Sequence, residues 1–214
     1  MTTVLFDIDE TIYSNHSFPD NIDIIKKLMK KLSNNYSFGI CTNRPYDENV
    51  KKIVDAYEIN GPLLVEGGAG IYKQINGTYR LIDTFNDYSY DLNELIDMKL
   101  ADFINKEYYE IHRNRKYSST VVFKDIILHK MDDIIDYLNN ISLFKNNKII
   151  KDIFFNDRIH VSDKRLNKVK AIKKYFKNEK VIFVTDIEDL PLPIYKNIKI
   201  YSVGNNNEFN KVSH

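Results

Sequence analysis

Two aspartates, Asp7 and Asp9, come directly after an apolar segment near the start of the chain, and Thr11 follows them. Because alternate side chains of a strand lie on the same face, the two carboxylates are expected to point in the same direction. They would repel each other unless a cation or a shared proton lay between them. The pattern is compatible with a reactive site at the carboxyl end of a strand, where open α/β sheets bind ligands. It is also compatible with an acidic loop in which Asp9 or Thr11 caps a turn.

Three further segments place reactive side chains at the end of a predicted strand or at the start of a predicted helix. Thr42 follows an apolar segment at residues 36–41, and Lys168 stands at the start of a helical pattern. An acidic cluster at residues 185–189 follows the apolar segment 181–185. The carboxyl ends of parallel strands lie along one edge of a sheet, so these segments and the aspartate pair can converge.

Together these side chains have the chemistry that phosphoryl transfer requires. A carboxylate such as Asp7 can attack phosphorus and form an aspartyl-phosphate. Asp9 can protonate the leaving oxygen and later activate water. The hydroxyl of Thr42 and the ammonium of Lys168 can hold phosphoryl oxygens as charge develops. The acidic cluster, with Asp7, can bind Mg²⁺, which prefers oxygen ligands and relieves the repulsion between an anionic nucleophile and an anionic substrate.

The elements that must position these side chains alternate between strand and helix. Helical patterns separate the apolar segments at residues 4–6, 36–41 and 63–65. Apolar side chains recur at helical spacing in the first helix: Ile25, Leu28, Met29 and Leu32. From residue 167 the same style returns, with a helix and strands at 181–185 and 198–203. The sequence therefore predicts an α/β fold, a parallel sheet with helices on both faces.

Between these two parts the pattern changes to a mixture of helices and antiparallel strands. Asn76-Gly77 predicts a hairpin between residues 70–73 and 79–82. The next helix is predicted from a set of apolar side chains, Leu92, Leu95, Ile96, Leu100, Phe103 and Ile104. Further elements are expected at 119–123 (strand), 131–141 (helix), 149–155 (strand) and 158–161 (strand). The predicted domains are a core at residues 1–82 and 164–214 and an inserted α+β domain at residues 83–163.

Composition restricts the classes of function. The chain has 214 residues, of which 43% are hydrophobic, enough to form a core. Its 31 Lys and Arg against 30 Asp and Glu leave a net charge of +1, which does not favour a nucleic-acid or membrane partner. Cys41 is the only cysteine, as expected in a reducing compartment. Because no signal-peptide or membrane-span pattern is visible, we expect a cytoplasmic protein.

The motifs, in this order, resemble those of a haloacid dehalogenase (HAD) superfamily phosphatase of the Cof-type branch, subfamily IIB. Residues 42–45, Thr-Asn-Arg-Pro, are similar to the family's Thr-Gly-Arg-Pro. Residues 168–172, Lys-Val-Lys-Ala-Ile, match its Lys-Gly-x-Ala-Leu pattern. Residues 66–69, Glu-Gly-Gly-Ala, are similar to its Glu-Asn-Gly-Ala turn. The resemblance implies a HAD-like Rossmannoid core with an α+β cap domain inserted after the third core strand.

The resemblance also implies roles for individual residues. Asp7 corresponds to the nucleophile and Asp9 to the acid/base, whose backbone carbonyl would also bind Mg²⁺. Thr42, with Asn43, and Lys168 correspond to the phosphate-binding positions. The cap domain would close over the site, exclude water and select the leaving group.

The last motif departs from the family pattern. The family typically has Gly-Asp-x-x-Asn-Asp, whereas the segment Thr-Asp-Ile-Glu-Asp from Thr185 is one residue shorter and lacks the glycine. Asp186 is expected to bind the metal, and Asp189 to bind it as well or to orient the metal or the lysine. Glu188 could substitute in either role. Taken alone, Asp186 could instead cap a turn.

Several other polar side chains have two interpretations. Arg44 and two residues of the inserted domain, Arg115 and Lys116, could contact the substrate and determine specificity. For the inserted domain, a solvated charged loop explains the same residues better. Cys41 is interpreted as a buried core residue. The lysines near Lys168 are expected to be exposed on the surface: Lys164, Lys170, Lys173 and Lys174. The histidines show no metal-ligand spacing and are expected at structural or surface positions: His16, His112, His129, His160 and His214.

The sequence thus predicts a Mg²⁺-dependent phosphatase that hydrolyses a phosphomonoester of a small metabolite, a sugar phosphate or a related phospho-acid. Two rival functions remain compatible with it. A phosphotransferase or phosphomutase would use the same aspartyl-phosphate, and a non-catalytic protein on the same fold would only bind a phosphorylated ligand. The sequence does not specify the ester, and both a monomer and a homodimer are compatible with it.

Overall fold

The computed structural model describes residues 1–14, 17–85, 91–152, 155–186 and 195–203, and the backbone of residues 209–211. The chain divides into two compact units. The core unit comprises Met1–Phe85 and Asn167–His214, and the inserted unit comprises Asn86–Leu166. No helix in the described ranges is both long enough and apolar enough to cross a membrane.

The elements have the following bounds in chain order. The strands are β1 (Thr2–Phe6), β2 (Tyr36–Cys41), β3 (Leu63–Val65), β4 (Gly70–Ile75), β5 (Thr78–Thr84), β6 (Tyr109–Ile111), β7 (Ser119–Phe123), β8 (Asn147–Lys151), β9 (Arg158–Asp163), β10 (Val181–Thr185), β11 (Ile198–Val203) and β12 (Phe209–Lys211). The α-helices are α1 (Ile22–Leu32), α2 (Glu48–Ala56), α3 (Leu92–Ala101), α4 (Met131–Asn140) and α5 (Lys168–Phe176).

The core unit is built on one sheet, whose strand order within the described residues is β12-β11-β10-β1-β2-β3-β4-β5. The five strands from β11 to β3 are parallel, and β12, β4 and β5 are antiparallel to their neighbours. Strand β1 lies in the middle, between β10 and β2. The carboxyl ends of these parallel strands therefore lie along the same edge, as predicted.

Helices cover both faces of this sheet because successive strand side chains point to opposite sides. Val4 and Ile40 pack in one cluster with Met29 of α1 and with α2. Leu5 lies on the opposite face, in a second cluster that contains Cys41, Leu64 and the buried side of α5. The predicted α/β class, with helices on both faces, is confirmed.

The hairpin between β4 and β5 follows from two residues that adopt the left-handed region. Asn76 and Gly77 have φ values of 51° and 77°. Two adjacent residues with positive φ are typical of the type I′ turn, whose twist matches that of the flanking strands. The hairpin predicted from Asn76-Gly77 is therefore confirmed.

The inserted unit is a small α+β structure with its own core. Its antiparallel sheet has the order β6-β7-β9-β8. One face of this sheet and helices α3 and α4 bury a common apolar cluster that includes Ile96, Val121, Ile134 and Ile159. The unit therefore has a hydrophobic core separate from the two clusters of the core unit.

Some details differ from the sequence predictions. Leu28 was placed on the buried face of α1 but is 54% exposed, because only a narrow stripe of this helix, centred on Met29, meets the sheet. The strand predicted at 149–155 ends at Lys151. Strand β6 was not predicted, since three residues are too few to show a period of two.

Candidate active site

Asp7 lies at the carboxyl end of β1, in the middle of the sheet edge. Phe6 pairs with Val184 of β10, and the Asp7 N–H donates to the Val184 carbonyl at 2.8 Å. The Asp7 side chain is buried, and its Oδ1 accepts a hydrogen bond of 2.8 Å from the N–H of Ile8. One carboxylate oxygen is thus fixed by the backbone, and the other faces the neighbouring elements.

Lys168 provides the positive charge next to Asp7. Its Nζ forms an ion pair with Asp7 Oδ2, and its own side chain is only 10% exposed. Lys168 is the first residue of α5, and the helix is capped by Asn167, whose Oδ1 accepts from the N–H of Val169 at 2.9 Å and of Lys170 at 3.3 Å. The cap fixes where the helix begins and therefore where the lysine lies.

A glycine turn determines how closely α5 approaches the sheet. Gly68 follows β3 and has a φ of 91°, which favours glycine. A Cβ at this position would lie 2.3 Å from the Cβ of Ala171 in α5. The helix that carries Lys168 therefore packs directly against the turn at residues 66–68, and both Gly68 and Ala171 must be small.

Asp186 adds a second carboxylate next to Asp7. It follows β10, and both burial and the negative charge of Asp7 raise the pKa of Asp186 above its usual value. The Oγ1 of buried Thr185 lies 3.4 Å from Asp7 Oδ2 and 3.5 Å from Asp186 Oδ1. Two carboxylates are therefore close together, and among the described side chains the ammonium group of Lys168 is the one that forms an ion pair with Asp7.

A hard divalent cation such as Mg²⁺ fits this donor set. Mg²⁺ binds through one or two carboxylates and keeps several water ligands, so Asp7 and Asp186 suffice as side-chain ligands. Within the described part of the chain no group of three or more His, Cys, Asp or Glu side chains could hold a metal. Asp189 and Glu188, predicted as further candidates, lie outside the described residues.

Thr42 and Asn43 lie at the same edge, directly after β2. Thr42 is fully buried, and its N–H donates to the Leu64 carbonyl at 2.9 Å. Its carbonyl accepts from the N–H of Gly67 at 2.8 Å, and its Oγ1 accepts from the N–H of Arg44 at 3.2 Å. The backbone around Thr42 is thus held by β3 and the glycine turn. Asn43 is exposed.

Asp9 forms an ion pair with Arg44. The guanidinium binds both carboxylate oxygens, with Nη2 2.6 Å from Oδ1 and Nε 3.1 Å from Oδ2, and this hydrogen bonding raises the pKa of Arg44. The Arg44 Cζ lies 5.5 Å from the centre of the Tyr13 ring. Asp9 itself is 53% exposed, unlike the buried Asp7. The sequence suggested Arg44 only as a specificity residue. Its contact with Asp9 was not predicted, because the two residues are 35 positions apart and no local pattern links them.

Cys41 is a core residue, as predicted. It is fully buried at the end of β2, and burial raises the pKa of its thiol to about 12. The neighbouring charges of Lys168 and Asp7 act on this pKa in opposite directions. The thiol is therefore neutral near pH 7 and unsuited to act as a nucleophile.

The other predicted specificity residues lie in the inserted unit. The Nη1 of Arg115 donates to the Ser118 hydroxyl at 3.2 Å, and its carbonyl accepts from Asn93 at 2.8 Å. Lys116 is exposed. These contacts explain how the loop is held, and a role of either side chain in binding substrate stays a prediction.

Similarity to known proteins is found in structure and not in sequence. No protein-family model matches the chain, and no curated protein sequence does. A haloacid dehalogenase-like hydrolase from Bacteroides thetaiotaomicron superposes with a TM-score of 0.64 at 12% identity, covering 86% of this chain and 81% of that chain. A HAD subclass IIB sugar phosphatase gives 0.56 at 14% identity, covering 87% and 81%. The sucrose-phosphatase of Synechocystis gives 0.57 at 12% identity, covering 86% and 75%.

These likenesses establish the class of fold. The chain has the HAD-like fold, and the resemblance inferred from its motifs is confirmed at this level. At identities of 12–14% the neighbours do not fix the reaction or the substrate of this protein.

Proposed function

We propose that this protein is a Mg²⁺-dependent phosphatase that hydrolyses a phosphomonoester of a small metabolite. The observation that carries the proposal is the buried ion pair of Asp7 and Lys168 at the carboxyl ends of the central strands. A buried carboxylate paired with a lysine and lying close to a second carboxylate is costly for stability alone. The same group is well suited to reaction with an anionic phosphorus centre.

In the proposed reaction, an oxygen of Asp7 attacks phosphorus and the bond to the ester oxygen breaks. Asp9 donates a proton to the leaving oxygen, which departs as an alcohol. Asp9 then accepts a proton from water as the water attacks the aspartyl-phosphate, releasing phosphate and restoring Asp7. Lys168 and Thr42 would bind the phosphoryl oxygens, with the Lys168 ammonium already directed at the Asp7 carboxylate.

The charges of the site support a requirement for a divalent cation. A phosphoryl dianion next to Asp7 and Asp186 would add to their negative charge, and among the described side chains Lys168 is the one that forms an ion pair with Asp7. Asp7, Asp186 and the Asp9 backbone carbonyl would hold Mg²⁺, which supplies the positive charge that offsets this excess. Asp189 remains a proposed further ligand.

Arg44 is proposed to orient Asp9. Its planar fork binds both oxygens of the Asp9 carboxylate, which fixes the direction of that carboxylate. One oxygen must leave the fork to exchange a proton with the ester oxygen. Lysine has the charge but not the fork, so Arg44→Lys is expected to lower kcat more than it changes KM.

The proposed substrate class is a sugar phosphate or a related phospho-acid. It is supported by two structural neighbours that are named as a sugar phosphatase and a sucrose-phosphatase. The share of this chain covered in both comparisons is 86–87%, so the likeness includes most of the molecule.

A screen of phosphorylated metabolites with Mg²⁺ tests the proposal by measuring released phosphate. Asp7→Asn keeps the shape of the side chain and removes the nucleophile, so we expect it to abolish activity. Asp23→Asn, on the exposed side of α1, is the matched control and should keep full activity. Full activity of Asp7→Asn would refute the mechanism. Transfer to an acceptor without free phosphate would favour a phosphotransferase, and binding without turnover would favour a ligand-binding protein.

A further inference from the structure

Thr185 places a buried hydroxyl close to both carboxylates of the proposed cation site. It is the last residue of β10 and is fully buried. Its Oγ1 lies 3.4 Å from Asp7 Oδ2 and 3.5 Å from Asp186 Oδ1. The motif that this segment resembles has a glycine here, so the hydroxyl is a feature of this chain.

The hydrogen-bonding capacity of these groups restricts what the hydroxyl can do. Ionised carboxylates only accept hydrogen bonds, and a threonine hydroxyl has one proton to donate. Thr185 can therefore donate to Asp7 or to Asp186, but not to both at once. At 3.4 and 3.5 Å both contacts are longer than a usual O–H···O hydrogen bond of about 2.5–3.0 Å, and the two distances favour neither acceptor.

The other hydrogen-bond donors to Asp7 come from parts of the chain that do not lie next to Asp186 in sequence, whereas Thr185 does. Asp7 Oδ1 accepts from the Ile8 N–H, and Oδ2 accepts from Lys168. Ile8 lies in the segment after β1 and Lys168 in α5, whereas Thr185 is the last residue of β10, the strand that Asp186 follows. The Thr185 hydroxyl is thus within 3.4 Å of a carboxylate oxygen that follows β1 and within 3.5 Å of one that follows β10.

We propose that Thr185 is a positioning residue that holds Asp7 and Asp186 at a separation suited to share one divalent cation. Their mutual repulsion would otherwise drive the carboxylates apart in the metal-free protein. A donor between them lessens this repulsion, so the ligands need less rearrangement when the cation binds. The inference rests on the proposed function only in assigning the cation to these carboxylates.

Calorimetric titration of the full chain with Mg²⁺, without substrate and after dialysis against EDTA, tests this role. Thr185→Val has nearly the same shape and lacks the hydroxyl, and it should weaken Mg²⁺ binding by about 10-fold or more. Thr185→Ser keeps the hydroxyl and should bind Mg²⁺ nearly as the wild type does. The rise in Tm on adding Mg²⁺ should be smaller for Thr185→Val than for Thr185→Ser.

A merely structural role makes a different prediction, because it would lower Tm equally with and without Mg²⁺. Wild-type affinity in Thr185→Val, or an equal loss in Thr185→Ser, would overturn the proposal. If Thr185→Val does not fold, Thr185→Ala provides the same comparison with Thr185→Ser. Absence of Mg²⁺ binding by the wild type would also overturn it. Metal binding that depends on Thr185, without phosphatase activity, would instead refute only the proposed function.

Discussion

Removing one partner of the ion pair between Asp7 and Lys168 should strongly destabilise the core unit, because it leaves the other charge buried and uncompensated. The two side chains are 6% and 10% exposed, so neither charge can regain its hydration when the partner is removed. Breaking such a buried pair costs about 3–5 kcal/mol. Lys168→Met is therefore expected to lower the free energy of unfolding by about 3–5 kcal/mol.

A double-mutant cycle separates the ion pair from the loss of packing. Asp7→Asn leaves the lysine buried without its carboxylate, whereas the double variant Asp7→Asn/Lys168→Met leaves neither charge. The double variant should therefore be more stable than the sum of the single effects predicts, by about 2 kcal/mol. Lys170→Met, on the exposed side of the same helix, should change stability by less than about 0.5 kcal/mol.

Urea unfolding in EDTA measures these differences. Since the chain has no tryptophan, far-UV circular dichroism is the appropriate signal. Free energies of unfolding of a domain amount to about 5–15 kcal/mol, so a loss of 3 kcal/mol is easily measured. The reasoning is refuted if Lys168→Met costs no more than Lys170→Met. It is also refuted if the two single effects add to within about 0.5 kcal/mol.

Three further predictions concern other positions in the core unit. A Cβ at Gly77 would meet no atom within 4 Å, so Gly77→Ala should lower the free energy of unfolding by about 1 kcal/mol, from the positive φ alone. A Cβ at Gly68 would also meet the Ala171 Cβ, so Gly68→Ala should cost about 1–3 kcal/mol more. Equal losses of the two variants in urea unfolding would contradict this packing contact. Burial and Asp7 raise the pKa of Asp186, so the folded protein binds this proton more tightly than the unfolded chain, and stability falls as pH rises above the usual aspartate range. In EDTA, Asp186→Asn should therefore raise Tm at pH 7, and the gain should shrink toward pH 4; a lower Tm at pH 7 would show that the carboxylate is stabilising. A thiol reagent such as dithionitrobenzoate should leave Cys41 unmodified in the native protein at pH 8 and react in urea, because the thiol is buried and its pKa is about 12; rapid reaction without urea would contradict this.

Much of the core sheet could be predicted because its strands are short apolar segments bounded by polar or turn residues. Residues 36–41, 63–65, 181–185 and 198–203 were predicted as strands with the bounds that the structure gives them. In a parallel sheet covered on both faces, strands are apolar throughout, so the boundary of each strand is sharp. This sharpness also located Asp7 and Asp186, since each directly follows the last residue of its strand.

Contacts between distant side chains could not be predicted in the same way. The pairing of Asp9 with Arg44 depends on how two loops meet beyond β1 and β2, which no periodicity encodes. The closeness of the Thr185 hydroxyl to Asp7 depends on the register of β10 against β1. The exposure of Leu28 depends on how much of α1 the sheet covers. The apolar face of a helix, read from the sequence, does not show how many of its side chains are buried by the sheet.

The position of β1 in the sheet has a consequence for how the protein is made. This strand precedes the other described strands along the chain, yet one of its two neighbours, β10, begins only at Val181. Until β10 leaves the ribosome, the backbone groups on one side of β1 have no partner strand. Asp7 then follows an unpaired strand edge and has no contact with Thr185. Unpaired apolar edges promote misassociation, and pairing over such a separation is slow. Nascent chains that end before residue 181 should therefore depend on chaperones, and the edge of the sheet at Asp7 should be completed only after β10 has been synthesised.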